Sequence, residues 1–315
     1  MTPVNPREDR TTFGLLVMLM AVSFFTCIDT SAKWLISVAA LPALQVVFAR
    51  YAGHFVLAVA VYAPMEGADA FRSNAPLKQF LRSSFLLGST VLNFLALQHL
   101  PITLTTTIMF AGPIVVTFLA IPLLGEKVGL RRIIAVCVGF IGVLVVIRPW
   151  GADFNPATLF SLGALFLASL YFVMTRMLAG VESNATSQIW SSGIATLAIA
   201  PMAVPLWVWP ESPLTALILT LIGVFGAVGH IAATYAHRMA DASVLAPVIY
   251  VQILLVAFAS WLVFATLPTL WTLGGGVIII GSGLYIWWRE RTKSASGETR
   301  LDAPDAPPFW RRFVR

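Results

Sequence analysis

The stretch 13–36, FGLLVMLMAVSFFTCIDTSAKWLI, is a long apolar run that carries two charged residues, Asp29 and Lys33. As a helix it would extend roughly 36 Å, which is enough to cross a hydrocarbon core of about 30 Å. The two charges are four positions apart and therefore lie on one face. Because a charge facing lipid near the bilayer centre costs at least about 2.5 kcal/mol, we expect that face to look into protein or water.

The composition extends this prediction to the whole chain. Hydrophobic residues make up 58% of the sequence, charged residues 11%, and the mean hydropathy is +0.86. Soluble proteins carry about 25% charged residues. The two cysteines lie in apolar runs and predict no disulfide framework. The sequence therefore predicts a polytopic, all-α integral membrane protein.

Ten apolar runs predict ten transmembrane helices. The connections between them are short and rich in Pro, Gly, Asn and charge, as helix ends usually are. Helices are also the open-ended elements that satisfy every backbone group in lipid. The runs cover residues 13–36, 42–63, 83–99, 102–124, 130–148, 157–179, 185–209, 214–237, 243–266 and 269–288.

The basic residues predict the orientation. With the amino terminus inside, only Arg148 of the 20 Lys and Arg residues falls in an outer connection, and only Lys33 and Arg50 fall within spans. All others, Arg82 among them, are expected on the cytoplasmic side. This asymmetry predicts that both termini lie in the cytoplasm. It also explains the basic total without a nucleic-acid partner. We expect a multi-pass protein of the plasma (bacterial inner) membrane.

Five spans in each half predict an inverted repeat. The predicted units are 13–149 and 157–288, between a cytoplasmic tail at 1–12 and a disordered basic tail at 289–315. The stretch GEKVGLRRIIAVCVGFIGVLVVIRP in the first unit matches FATLPTLWTLGGGVIIIGSGLYIWW in the second in hydropathy and glycine placement. Inverted repeats place binding sites near the membrane midplane between the halves, which favours a transporter over an enzyme or a receptor.

Five stretches resemble the drug/metabolite transporter superfamily, and specifically its EamA domains. They are the Asp29 and Lys33 spacing, FAR at 48–50, TTTIMFAGPIVVTFLAIPLLGEK at 105–127, GVLVVIRP at 142–149, and ASVLAPVIYVQILLVAFASWLVF at 242–264. The resemblance implies ten helices in two inverted five-helix repeats and transport of small organic metabolites by alternating access. Substrates of this family include vitamins such as riboflavin, S-adenosylmethionine, amino acids and carboxylates.

Asp29 is the sharpest candidate for a role in transport, and three interpretations remain open. It could bind a proton or a substrate amine, form an ion pair that holds span one to span two, or pair locally with Lys33. Proton coupling would need a carboxylate in a dry cavity, and Asp29 is the acid placed for that. Lys33 could line an outer vestibule or extend its stem to the interface as an anchor.

Span two supplies two further candidates. Arg50 could neutralise Asp29, or it could offer its planar guanidinium to a carboxylate or phosphate of the substrate. His54, one turn deeper, could titrate near neutral pH or donate a hydrogen bond between helices.

Other candidates are spread over both halves. Asn93, Tyr250 and Gln252 are expected to line a cavity. Pro113 and Pro247 each remove a backbone hydrogen bond, which suits either a gate or a packing kink. Glu126 is a candidate for an inner gate on the resemblance, although its counterpart after span nine is Thr266. Close helix packing is expected at Gly139, Gly142, Gly223, Gly226 and Gly229.

An enzyme is disfavoured because the chain contains no HExxH or GxSxG motif. We predict no catalytic residues, no metal site and no cofactor. A channel, a lipid-translocating protein and a structural membrane protein remain alternatives. The expected partners are a small metabolite and membrane lipid, with protons, a counter-substrate and a homodimer left open.

Overall fold

The computed structural model describes residues 6–124, 129–151, 154–178, 180–239, 245 and 248–295. Within these ranges the regular elements are helices, which confirms the predicted all-α class. A short 3₁₀ helix at Gly67–Phe71 follows the second of them. The α-helices are α1 Pro6–Ser37, α2 Ala43–Glu66, α3 Pro76–His99, α4 Ile102–Met109, α5 Gly112–Leu124, α6 Leu130–Ile147, α7 Thr158–Leu178, α8 Asn184–Ala203, α9 Pro213–Met239, α10 Val251–Phe264 and α11 Leu270–Ala295.

Seven helical segments in the described part of the chain are long and apolar enough to cross a membrane. Helices α4 and α5 together form one of them, Ile102–Leu124. The three remaining predicted spans coincide with α6, α8 and α10. Helix α6 contains the shorter apolar segment Ile133–Ile147, and α10 is itself a short apolar helix.

Span four is interrupted just before Pro113, the residue expected to remove a backbone hydrogen bond there. Helix α4 ends at Met109 and α5 begins at Gly112. The backbone N–H of Ile114 donates to the Ala111 carbonyl, which starts the second helix. Because proline has no N–H and its ring crowds the preceding turn, the helix restarts at this point. Glu126 and Pro247 lie outside the described residues.

Span three begins earlier than predicted, and this corrects the placement of Arg82. Helix α3 starts at Pro76, a favourable first-turn residue, so Arg82 lies in its second turn. The Arg82 side chain is only 5% exposed. It is therefore part of the interior of the bundle and does not belong with the exposed cytoplasmic charges.

The main helix contacts join the first half of the chain to the second. Helix α1 packs on α9, α3 on α7, α2 on α8 and α9, and α6 on α11. A Cβ on Gly223 would lie 2.7 Å from the Gly53 Cα, and one on Gly142 would lie 3.0 Å from the Gly275 carbonyl oxygen. The expected close packing at glycines is thus confirmed for these helix pairs, and it brings α2 and α9 together beside Arg50.

Candidate functional site

Helix α3 presents two polar side chains, Thr90 and Asn93, one turn apart on the same face. The Thr90 hydroxyl accepts a hydrogen bond of 2.8 Å from Nη1 of Arg50. The Asn93 Nδ2 donates to Oδ1 of Asp29 over 3.3 Å. Helix α3 therefore holds a guanidinium from α2 and a carboxylate from α1 at adjacent positions.

Arg50 is buried, with 8% of its surface exposed. Its guanidinium carbon lies 5.1 Å from the ring centroid of Tyr51 and 5.8 Å from that of Phe94. Aromatic faces at such distances favour a cation electrostatically. Its Nη2 lies 3.4 Å from Nε2 of His230 on α9. Arg50 therefore connects a helix of the first half to one of the second half.

Asp29 forms an ion pair with neither Arg50 nor Lys33, because no such contact lies within 4 Å. The two side chains are instead bound by α3 residues one turn apart, Arg50 by Thr90 and Asp29 by Asn93. Neither predicted ion pair of Asp29, with Arg50 or with Lys33, is therefore formed as a direct contact in this conformation.

Lys33 is held by the end of α3. Its Nζ donates to the carbonyl oxygens of Leu97 at 2.6 Å and Leu100 at 3.1 Å. A cation at a helix carboxyl end interacts favourably with unpaired carbonyls and with the helix dipole. Of the two interpretations of Lys33, this geometry favours an anchor, although the partner is the end of α3 and not the membrane interface.

Two histidines extend the site toward α9. His54 is 2% exposed, and its ring stacks on that of His230 with centroids 5.6 Å apart and planes inclined by 12°. The Phe25 ring covers His230 from α1, with centroids 5.1 Å apart. We call Asp29, Arg50, His54, Thr90, Asn93 and His230 the polar cluster.

A second buried arginine, Arg82, lies on α3 about two turns before Thr90. Arg82 donates from Nε to the Thr175 hydroxyl at 2.8 Å, from Nη1 to the Ser191 hydroxyl at 2.8 Å, and from Nη2 to the Tyr171 hydroxyl at 3.0 Å. The interior along α3 therefore contains two buried guanidinium groups and one carboxylate, spread over about three helical turns.

The contacts of Tyr250 lie outside the polar cluster. The Tyr250 ring packs against Phe110, with centroids 5.6 Å apart, and its hydroxyl lies against Gly283. Gln252 is partly buried at the start of α10. The structure joins Asp29, Arg50, His54 and Asn93 but does not bring Tyr250 to them.

The sequence contained a signal for Arg82 and Thr90, the residues of α3 at this site that were not predicted. Five polar residues of α3 fall within a sector of about 100° around the helix axis, which places them on one helix face. This face carries the partners of both Arg50 and Asp29. Its members are Gln79, Arg82, Ser83, Thr90 and Asn93.

The structure is that of an all-helical, multi-pass membrane protein whose interior gathers charged side chains from several helices. In membrane proteins of this class such buried charges usually bind a small ligand or an ion. The profile of the EamA-like transporter family matches residues 12–148 and 155–288. The chain belongs to this family.

Three relatives show which transported compounds appear in the names of similar proteins. A riboflavin transporter of Vibrio cholerae is 29% identical over 285 residues, which cover 88% of this chain and 94% of that protein. An S-adenosylmethionine uptake transporter of Rickettsia prowazekii is 30% identical over 237 residues, covering 73% and 78%. A pseudopaline exporter of Pseudomonas aeruginosa is 24% identical, covering 85% and 93%.

The fold also resembles that of a solved structure, described only as "crystal structure of protein". The TM-score is 0.61 at 17% sequence identity, over 89% of this chain and 97% of the other. This likeness concerns the fold alone.

Proposed function

We propose that this chain is a secondary transporter that moves a small organic metabolite across the inner membrane by alternating access. The observation that carries the proposal is the polar cluster. It lies inside the helix bundle and draws side chains from both segments that match the family, with Arg50 from the first and His230 from the second. Buried charges are costly in a membrane protein and usually serve a ligand or an ion.

The pattern of helix contacts supports two inverted five-helix repeats. Under a shift of five spans, α1 corresponds to α7 and α3 to α9. The packing of α1 on α9 then corresponds to that of α7 on α3, and both are extensive. The contact of α5 with α7 likewise corresponds to that of α10 with α1. Helices α2 and α8, and α6 and α11, each pack on their own counterpart.

This proposal includes ten spans, with both termini in the cytoplasm and units at 13–149 and 157–288. Helices α6, α8 and α10 complete the count beyond the seven long apolar segments. The other Lys and Arg residues of the connections support this orientation even when Arg82 is left out of the count. The break between α4 and α5 supports a gating role for Pro113, since a segment without continuous backbone bonds can change its angle at low cost.

The names of the relatives guide the first substrates to try. Riboflavin and S-adenosylmethionine are both small, polar organic molecules, and the relatives named for them match most of this chain. We propose a substrate of this size class.

The experiment is transport by the purified chain in proteoliposomes. Labelled riboflavin, S-adenosylmethionine, amino acids and carboxylates are supplied outside, with and without the same compound trapped inside. Alternating access predicts saturable uptake of at least one compound, accelerated by unlabelled compound on the opposite side. A flux that rises linearly with concentration and shows no such acceleration would indicate a channel and overturn the proposal.

A further inference from the structure

Arg50 and Asp29 carry opposite charges in one interior, yet they do not touch. Each is held by a neutral side chain of α3, Thr90 or Asn93. Buried ions are usually paired because desolvation is costly. The α3 face keeps these two apart, so both charges lack a direct counter-ion in this conformation.

Two atoms beside these charges also lack hydrogen-bond partners. Arg50 Nε is a buried donor with no acceptor, and Asn93 Oδ1 is a buried acceptor with no donor. Most buried polar atoms in proteins are satisfied, and exceptions often mark a ligand or an ordered water. The free donor lies with the positive charge, and the free acceptor lies with the negative charge.

We propose that this part of the polar cluster binds a zwitterion, the head group of an α-amino acid or of a molecule that contains one. The ligand carboxylate binds Arg50 through Nε, and the ligand ammonium binds Asp29 and Oδ1 of Asn93. The inference rests on the proposed transport function and narrows its substrate class.

Charge balance distinguishes this ligand from the alternatives. A simple carboxylate or phosphate would neutralise Arg50 but face the Asp29 carboxylate. An amine would neutralise Asp29 but face Arg50. A neutral ring with adjacent C=O and N–H groups, such as that of a flavin, would satisfy both free atoms but would give neither charge a direct counter-ion. A zwitterion satisfies the atoms and the charges together.

The surrounding residues fix the orientation of the ligand. Thr90 binds the Tyr51 hydroxyl at 2.7 Å as well as Arg50, so the acceptor of the guanidinium is itself held in place. His230 Nε2 lies 3.4 Å from Nη2 of Arg50, so α9 also fixes the position of the guanidinium. The carboxylate of the ligand therefore belongs at the Arg50 end and its ammonium at the Asp29 end.

The first test uses the purified wild-type chain and compounds that differ in one charge. Each common amino acid and S-adenosylmethionine is compared with its decarboxylated and deaminated analogues, and riboflavin is included. We expect at least one intact zwitterion to bind in a thermal-shift or calorimetric titration and its analogues to bind at least about tenfold more weakly. Equal binding of the analogues, binding of riboflavin alone, or binding of none of the zwitterions would overturn the proposal.

The second test assigns each end of the ligand. Arg50→Gln should abolish the preference for the intact zwitterion over its decarboxylated analogue. Asp29→Asn should abolish the preference over the deaminated analogue. Matched controls are Arg72→Gln and Asp69→Asn, because that pair lies at the surface with side chains 80% and 84% exposed. Wild-type preferences in both site variants would contradict the proposed contacts.

The variant Arg50→Lys controls for loss of the fold on removal of the buried charge, since it retains the charge and loses only the planar fork. It should bind the zwitterion more weakly than wild type and keep the preference for a carboxylate.

The transport assay separates this inference from the proposed function. Saturable riboflavin transport without zwitterion binding would overturn the ligand class alone, and zwitterion binding without transport would overturn the transporter alone.

Discussion

Thr90 fixes the orientation of Arg50, and the variant Thr90→Val tests this role. Valine keeps the shape of the side chain but removes the hydroxyl that accepts from Arg50 Nη1 and contacts Tyr51. A buried charged donor that loses its acceptor costs about 1.5–3 kcal/mol. We expect the free energy of unfolding in detergent to fall by this amount, and zwitterion affinity to fall with it.

A matched control lies on α9. Thr220 is exposed, and its hydroxyl donates to the Ala216 carbonyl of its own helix. Thr220→Val removes the same atom from a position with no contact to the polar cluster, so stability and affinity should stay near wild type. If both variants behave alike, Thr90 does not position Arg50.

Lys33→Met tests whether Lys33 is a helix anchor or part of a binding vestibule. Methionine keeps most of the apolar stem and loses the bonds from Nζ to the Leu97 and Leu100 carbonyls. Because Lys33 is only partly buried, we expect a loss of about 1 kcal/mol in the free energy of unfolding. Ligand affinity should be unchanged. A weaker affinity at wild-type stability would instead place Lys33 in the vestibule.

The sequence predicted the charged members of the polar cluster better than their partners. Asp29 and Arg50 stand out because a charge inside an apolar span is rare and costly. Asn93 was predicted as well, because an amide in the middle of an apolar span is conspicuous. Thr90 was not, because threonine is common in membrane helices as a packing residue. Arg82 was misplaced for another reason, since its position one residue before an apolar run resembles that of an arginine at a membrane surface.

At the scale of helices, the closest approach of α2 and α9 depends on glycine. In Gly223→Ala the new Cβ would lie 2.7 Å from the Gly53 Cα and 3.1 Å from the Ala49 carbonyl oxygen. Both neighbours are backbone atoms and cannot rotate away. We expect overpacking to cost about 1–3 kcal/mol in the free energy of unfolding and to weaken transport by separating Arg50 from His230.

The control for this variant is Gly281→Ala on α11, where nothing lies within 4 Å of the added Cβ. Because alanine favours a helix over glycine, this change should leave stability equal or slightly higher. A loss of stability at Gly281 as large as that at Gly223 would show that loss of glycine alone, and not crowding, is responsible.

Helix positions were predictable to within a few residues for most spans because the apolar runs are long. The α4 and α5 break was also predictable, since proline dictates it locally. The pairing of the helices was not predictable from the sequence. Which helix packs on which depends on the shapes of whole faces, such as Gly53 against Gly223, and one sequence does not contain this information in a form that spacing alone reveals.

At the scale of the whole molecule, the number of spans decides on which side the carboxyl terminus lies. Ten spans place both ends in the cytoplasm, whereas the seven long apolar segments alone would place them on opposite sides. Reporters active only inside or only outside the cytoplasm, fused after residues 151, 180, 209 and 295, distinguish these arrangements. We expect the positions outside, inside, outside and inside, respectively. The fusions after 180 and 209 flank α8. If both report the same side of the membrane, α8 does not cross it, and the chain is not divided equally into two five-helix repeats.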